Sequence, residues 1–140
     1  MRILLFGHTY QPSRSEQIRH VLQTLSRTEA ELVAHGDFYD FLSKEFPDVC
    51  HRIGEIDCRG DYTADMALSI GGDGTFLWAA EKIGDRGIPV LGVNIGRLGF
   101  LADVPAEEVE PVLNEILEGK YKIEERSLLQ VEFNGLSENF

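Results

Sequence analysis

A chain of 140 residues is one domain's worth of sequence, and 43% apolar residues are enough for a packed core, which excludes wholesale disorder. Thirteen Lys and Arg against 24 Asp and Glu leave a net charge of −11. Bulk charge of that sign makes a poor partner for nucleic acid or an anionic membrane, yet leaves room for a small anion held by backbone N–H groups.

The first element is the apolar run Arg2 to Gly7, read as a buried strand before the turn-rich stretch HTYQPSRS. Ser15 is placed to cap a helix whose Ile18, Val21, Leu22 and Leu25 recur on one face. Ala30 to Ala34 reads as a second strand. A looser helix over Asp37 to Phe46 is closed by Pro47. Val49 to Asp65 is mixed and polar and reads as irregular. Met66 to Ile70 is a strand, Thr75 to Ile83 a helix closed by Gly84 and Gly87, and Ile88 to Asn94 a further strand. Pro105 suits the first position of a helix running to Leu117, with acids in its first turn and Gly119 as its stop. Pro111, in its first two turns, is a candidate bend. From Lys122 the pattern alternates in part, and Asn134-Gly135 is a type I′ turn signal. The five residues after it are too few for a convincing return strand. This order of strands and helices predicts an open, mostly parallel sheet with helices on both faces, an α/β domain.

Cys50 and Cys58 are too few for a disulfide scaffold and read as reduced, partly buried thiols. His51 beside Cys50 makes a metal conceivable, but no C-x2-C pair supports one. The opening residues are too short an apolar run for a signal peptide, and no stretch approaches the roughly 20 residues that span a bilayer. The expectation is a cytoplasmic protein.

Chemistry concentrates in two glycine-rich turns. In Ile70-Gly71-Gly72-Asp73-Gly74-Thr75, a strand gives way to a helix, so backbone N–H groups and the positive end of the helix dipole suit a phosphate. No P-loop lysine is present, and a Rossmann glycine spacing fails at Leu77. Asp73 is out of place among anion-binding amides unless it binds a hydroxyl, holds a metal or acts as a base. The plainer reading is a helix N-cap in a tight turn. The second turn, VNIGRLGFLAD, spans Val93 to Asp103. There Phe100 can stack on a base or lie in the core, and Arg97 can approach a phosphate. His8, just after the first strand, can face the same edge, whereas His20, His35 and His51 share no spacing.

IGGDGTFL followed by VNIGRLGFLAD resembles the NAD kinase family, whose first turn is shared with lipid kinases and, loosely, with phosphofructokinases. The resemblance implies a phosphofructokinase- or NAD-kinase-like N-terminal domain over residues 1–126. Residues 127–140 would begin a β-rich C-terminal domain, cut off at the end of this chain. It implies phosphorylation of NAD at the adenosine 2′-hydroxyl to NADP, with ATP or polyphosphate as donor and Mg²⁺ or another divalent metal. By that resemblance Asp73 is the proton acceptor, Gly72, Gly74 and Thr75 line the phosphate and ribose site, and Phe100 contacts adenine. NAD and ATP are then the partners, in a homo-oligomer that engages neither nucleic acid nor membrane. Two departures stand out. Trp78 replaces the Lys or Arg that many members carry after GGDGTFL, and the downstream Asn-Glu or Asn-Asp motif is absent. Asn114-Glu115 falls on a predicted surface helix, too early to be that motif, and Glu138-Asn139 is reversed. The rival readings are a nucleotide-binding module without chemistry and a lipid kinase, the latter disfavoured by charge.

Overall fold

Alternating faces of short apolar runs decide the architecture. In β1 (Arg2–Phe6), Ile3 and Leu5 enter one core cluster while Leu4 and Phe6 enter the other, so the strand is buried on both sides. The computed structural model describes the chain apart from residues 9, 11, 98, 134, 135 and 140, with side chains through residue 129. After β1 come α1 (Ser15–Ser26), β2 (Glu31–His35), α2 (Gly36–Glu45), α3 (Pro47–Cys50) and β3 (Ile53–Ile56). Then follow β4 (Met66–Gly71), α4 (Asp73–Ile83), β5 (Val90–Asn94), β6 (Val104–Pro105) and α5 (Val109–Leu117). The strands form a six-stranded sheet in the order β3-β2-β1-β4-β5-β6, and every pair in it is parallel.

The core lies on both faces of this sheet. Ile18, Val21, Leu22 and Leu25 of α1 pack with Phe38 and Leu42 of α2 and with Val109, Leu113 and Ile116 of α5. The opposite face is covered by Ala79 and Ile83 of α4 with Cys58, Tyr62 and Ile88. Helices therefore cover both faces, as the periodicity predicts.

Several local expectations are corrected. The stretch read as irregular contains β3, a parallel edge strand beside β2. Pro47 ends α2 but also opens α3, since its missing N–H costs nothing at a helix start. Ser15 is not a cap: Arg14 holds the N-cap position of α1 and no side chain caps that end. Val104–Pro105 pair with β5, and a short 3₁₀ turn (Ala106–Glu108) precedes α5. Pro111 falls in the first turn of α5, where no backbone bond is lost. Residues 121–129 carry no regular structure. Past them β7 (Gln130–Phe133) pairs antiparallel with β8 (Leu136–Asn139), so a return strand does form. The Asn134-Gly135 turn itself and the side-chain alternation through Val131 and Phe133 lie outside the described residues.

Candidate active site at the strand switch

All six strands run in parallel, so their carboxyl ends share one edge. The chain builds outward from β1 to β2 and β3, then returns to the other side of β1 with β4. The reversal between β1 and β4 opens a crevice at that edge, the usual place for a ligand in such sheets. Gly71-Gly72-Asp73 leaves β4 at this point.

The glycines there serve different ends. None of Gly71, Gly72 and Gly74 has a positive φ, so backbone freedom is not the reason for them. A Cβ on Gly71 would overlap the Thr75 side chain and crowd the Tyr10 hydroxyl. At Gly72 and Gly74 a Cβ would meet nothing within 4 Å, so no internal packing requires them. Gly72 is the N-cap of α4 and Asp73 its first residue; the Asp73 side chain makes no cap bond.

The Asp73 carboxylate instead reaches the second turn. One oxygen accepts from the N–H of Phe100 at 2.9 Å, and the other from Leu101 and Ala102 at 2.9 and 3.0 Å. A Cβ on Gly99 would overlap this carboxylate, so the clamp needs glycine at that position. Those N–H bonds, with Ala102 the strongest, hold the carboxyl below the ordinary carboxylate range. The second turn is shaped from within by Asn94, which donates to the carbonyls of Arg97 and Ala102 and accepts from the Gly96 N–H. Gly92 makes room for Ala102 and Phe76.

Phe100 is 98% exposed beside the clamp, so it is not core. Thr75 is only 7% exposed, and its side chain lies against Gly71 rather than on the outer surface of the turn. His8 sits at the end of β1 with its ring 4.7 Å from that of Trp78, which also meets Phe6 and His35 edge-on. Trp78 is thus held by the first two strands. Arg97 is exposed on the second turn, while Asn114-Glu115 is exposed on α5, as expected of a surface helix.

Sequence reasoning missed Tyr10, Arg14 and Asn94. Tyr10 accepts from the His8 N–H and donates to the Ile70 carbonyl, joining the β1 loop to the end of β4. Burial pushes its phenol pKa up. Its signal is faint: one aromatic in a polar, turn-like stretch. Cys50 and Cys58 are both free and buried, and burial raises the Cys58 thiol to about 11. Among the described residues no three His, Cys, Asp or Glu side chains gather as metal ligands, and Asp73, which already accepts three N–H bonds, stands without a second carboxylate or imidazole beside it to complete a ligand set. This set does not fit a resident divalent metal. No helix is long and apolar enough to cross a membrane among the described residues.

Comparison with known proteins shows what the chain and its fold are similar to. An NAD kinase of Bacteroides fragilis is 41% identical over 131 residues, covering 94% of this chain and 45% of the relative. One from Porphyromonas gingivalis is 38% identical over 143 residues, covering 99% of this chain and 48% of that one. The chain thus spans about half the length of the curated relatives it matches. The fold is similar to that of yeast NADH kinase, solved in complex with NADH. The TM-score is 0.75 at 24% identity, over 93% of this chain and 41% of the yeast protein. The family description "ATP-NAD kinase N-terminal domain" matches residues 3–121, and the chain belongs to the NAD kinase family.

Proposed function

We propose that the protein carrying this chain phosphorylates NAD at the adenosine 2′-hydroxyl to give NADP, and that this chain supplies the wall bearing Asp73. One observation carries the reading. An ionised carboxylate stands at the strand switch, clamped to the turn that presents an exposed aromatic. A site made only for phosphate has no use for that charge; a site that must meet a hydroxyl does.

In this reading the 2′-oxygen attacks the γ-phosphorus of ATP, or the terminal phosphorus of polyphosphate. The bond to the bridging oxygen breaks, and the proton leaves for the Asp73 carboxylate. Phosphoryl transfer depends on positioning and charge more than on a strong base. A carboxyl held below its ordinary range stays ionised at neutral pH and takes that proton late. Gly72 and Gly74 leave the outer surface of the turn free of side chains for phosphate and ribose. Thr75 supports the turn from inside, and Phe100 offers its ring to adenine. A divalent metal would arrive with the donor's phosphates, so no step here passes through one. Residues 127–140 would open a second domain, and the cytoplasmic, homo-oligomeric form expected of the family belongs to the same proposal.

The test is NADP formation by the intact protein, given NAD with ATP or with polyphosphate. Asp73→Asn should lower turnover by about 10²-fold or more, the usual scale for a lost general base. Near-normal turnover of that variant removes Asp73 from the mechanism. Dinucleotide binding without NADP from either donor favours the binding-module reading instead.

A further inference from the structure

We propose that Arg14 is an oligophosphate-binding residue, whose guanidinium receives the di- or triphosphate group of a nucleotide at the strand switch. The proposal deepens the phosphotransfer reading and rests on it for the identity of the nucleotides.

Position is the first ground. Arg14 ends the short 3₁₀ turn Pro12–Arg14 between β1 and α1. Its Nη1 donates to the Ile95 carbonyl at 3.2 Å, and the Ile95 N–H donates to the Gly71 carbonyl at 3.1 Å. The guanidinium therefore reaches across from the β1 loop to the start of the second turn, next to the first turn.

Charge is the second. Arg14 takes part in no ion pair among the described residues, and Nη1→Ile95 is its one hydrogen bond there. It is exposed, in a chain of net charge −11 with carboxylates to spare. It also sits at the N-terminal end of α1, a 12-residue helix, where the dipole disfavours a cation. No carboxylate among the described residues pairs with that charge, and an anion bound at that edge would. The third ground is space. A Cβ on Gly96 would lie 3.3 Å from Arg14 Nη2, so glycine there keeps that flank of the guanidinium uncrowded. Meanwhile Trp78 supplies no cation from α4, and Lys82 lies over the Trp78 ring, 6.0 Å from its centroid. Among the described residues four of the five guanidinium N–H donors have no acceptor, in the planar fork that suits phosphate oxygens.

The experiment titrates inorganic tripolyphosphate, ATP and NAD separately into the intact protein and its Arg14→Gln and Arg14→Lys variants by calorimetry. Unfolding temperature is measured without ligand. Gln retains an N–H donor for Ile95 but no charge. It should weaken tripolyphosphate binding about tenfold or more and flatten its salt dependence, with Lys recovering part of the loss. Loss toward ATP but not NAD assigns the contact to the donor's phosphates; the reverse assigns it to the dinucleotide pyrophosphate. Unchanged affinity of Arg14→Gln for all three ligands overturns the proposal and leaves Arg14 a latch between loops, whatever its unfolding temperature. Failure of the parent protein to bind any of the three also overturns it. If the parent binds tripolyphosphate through Arg14 yet never makes NADP, the phosphotransfer reading falls and the Arg14 assignment stands.

Discussion

Asp73 and Phe100 show how one residue sets the task of another. Three N–H bonds to Asp73 come from Phe100, Leu101 and Ala102, so the carboxylate proposed to meet substrate also fixes the loop that presents Phe100. Because the Asp73 pKa is lowered, the clamp is intact above the ordinary carboxylate range and is lost only as pH falls through the lowered value. Phe100 itself makes little contact with the rest of the chain, being 98% exposed. Phe100→Ala should therefore leave the unfolding temperature unchanged while weakening NAD binding several-fold to about tenfold, the worth of an aromatic stacking contact of about 0.5–1.5 kcal/mol. Calorimetry beside a melting curve checks both halves. A lower melting temperature with unchanged affinity would mean that the ring serves packing in the intact protein rather than adenine.

Among the elements, legibility followed length and the strength of the local pattern. The α1 face of Ile18, Val21, Leu22 and Leu25 was visible because four apolar positions recur over two turns, and all four are buried. β4 and the helix after GGDG were visible because an apolar run stops abruptly at glycine. β3 was not: four residues with Gly54 and Glu55 exposed at a sheet edge carry no alternation to detect. Its partner β2 decides its state, and that information lies some twenty residues away. The same holds at the site. Gly72, Asp73 and Gly74 announce themselves as a motif, whereas Tyr10, Arg14 and Asn94 act through contacts that only the strand order creates. Arg52 shows such a long-range tie outside the site. Its guanidinium donates to the carbonyls of Ser26, Thr28 and Ala30, fastening the α1–β2 connection to the residue just before β3. Arg52→Met keeps much of the side-chain bulk and leaves those carbonyls without their donor. It should cost about 1–3 kcal/mol in urea unfolding, and β3 amides should lose protection first. A change below about 0.3 kcal/mol would mean that water replaces the guanidinium at no cost.

At the scale of the whole molecule, the sheet and its helices bury a core on each face, while the proposed site lies at the strands' carboxyl edge. Asp73 and Phe100 form the proposed wall, and Leu77 and Leu101, the fourth residue after Asp73 and the residue after Phe100, are partly exposed. The relatives are about twice as long as this chain. The 140-residue chain alone should then unfold cooperatively but form NADP at least about 10³-fold more slowly than the intact protein. Holding two substrates in line accounts for about 7–11 kcal/mol of barrier lowering, and a single wall orients neither against the other. Assays of the two proteins side by side, at saturating NAD and ATP, decide it. Turnover by the 140-residue chain within about tenfold of the intact protein would mean that Asp73, its clamp and Arg14 already form a complete site, and the two-wall argument would fail.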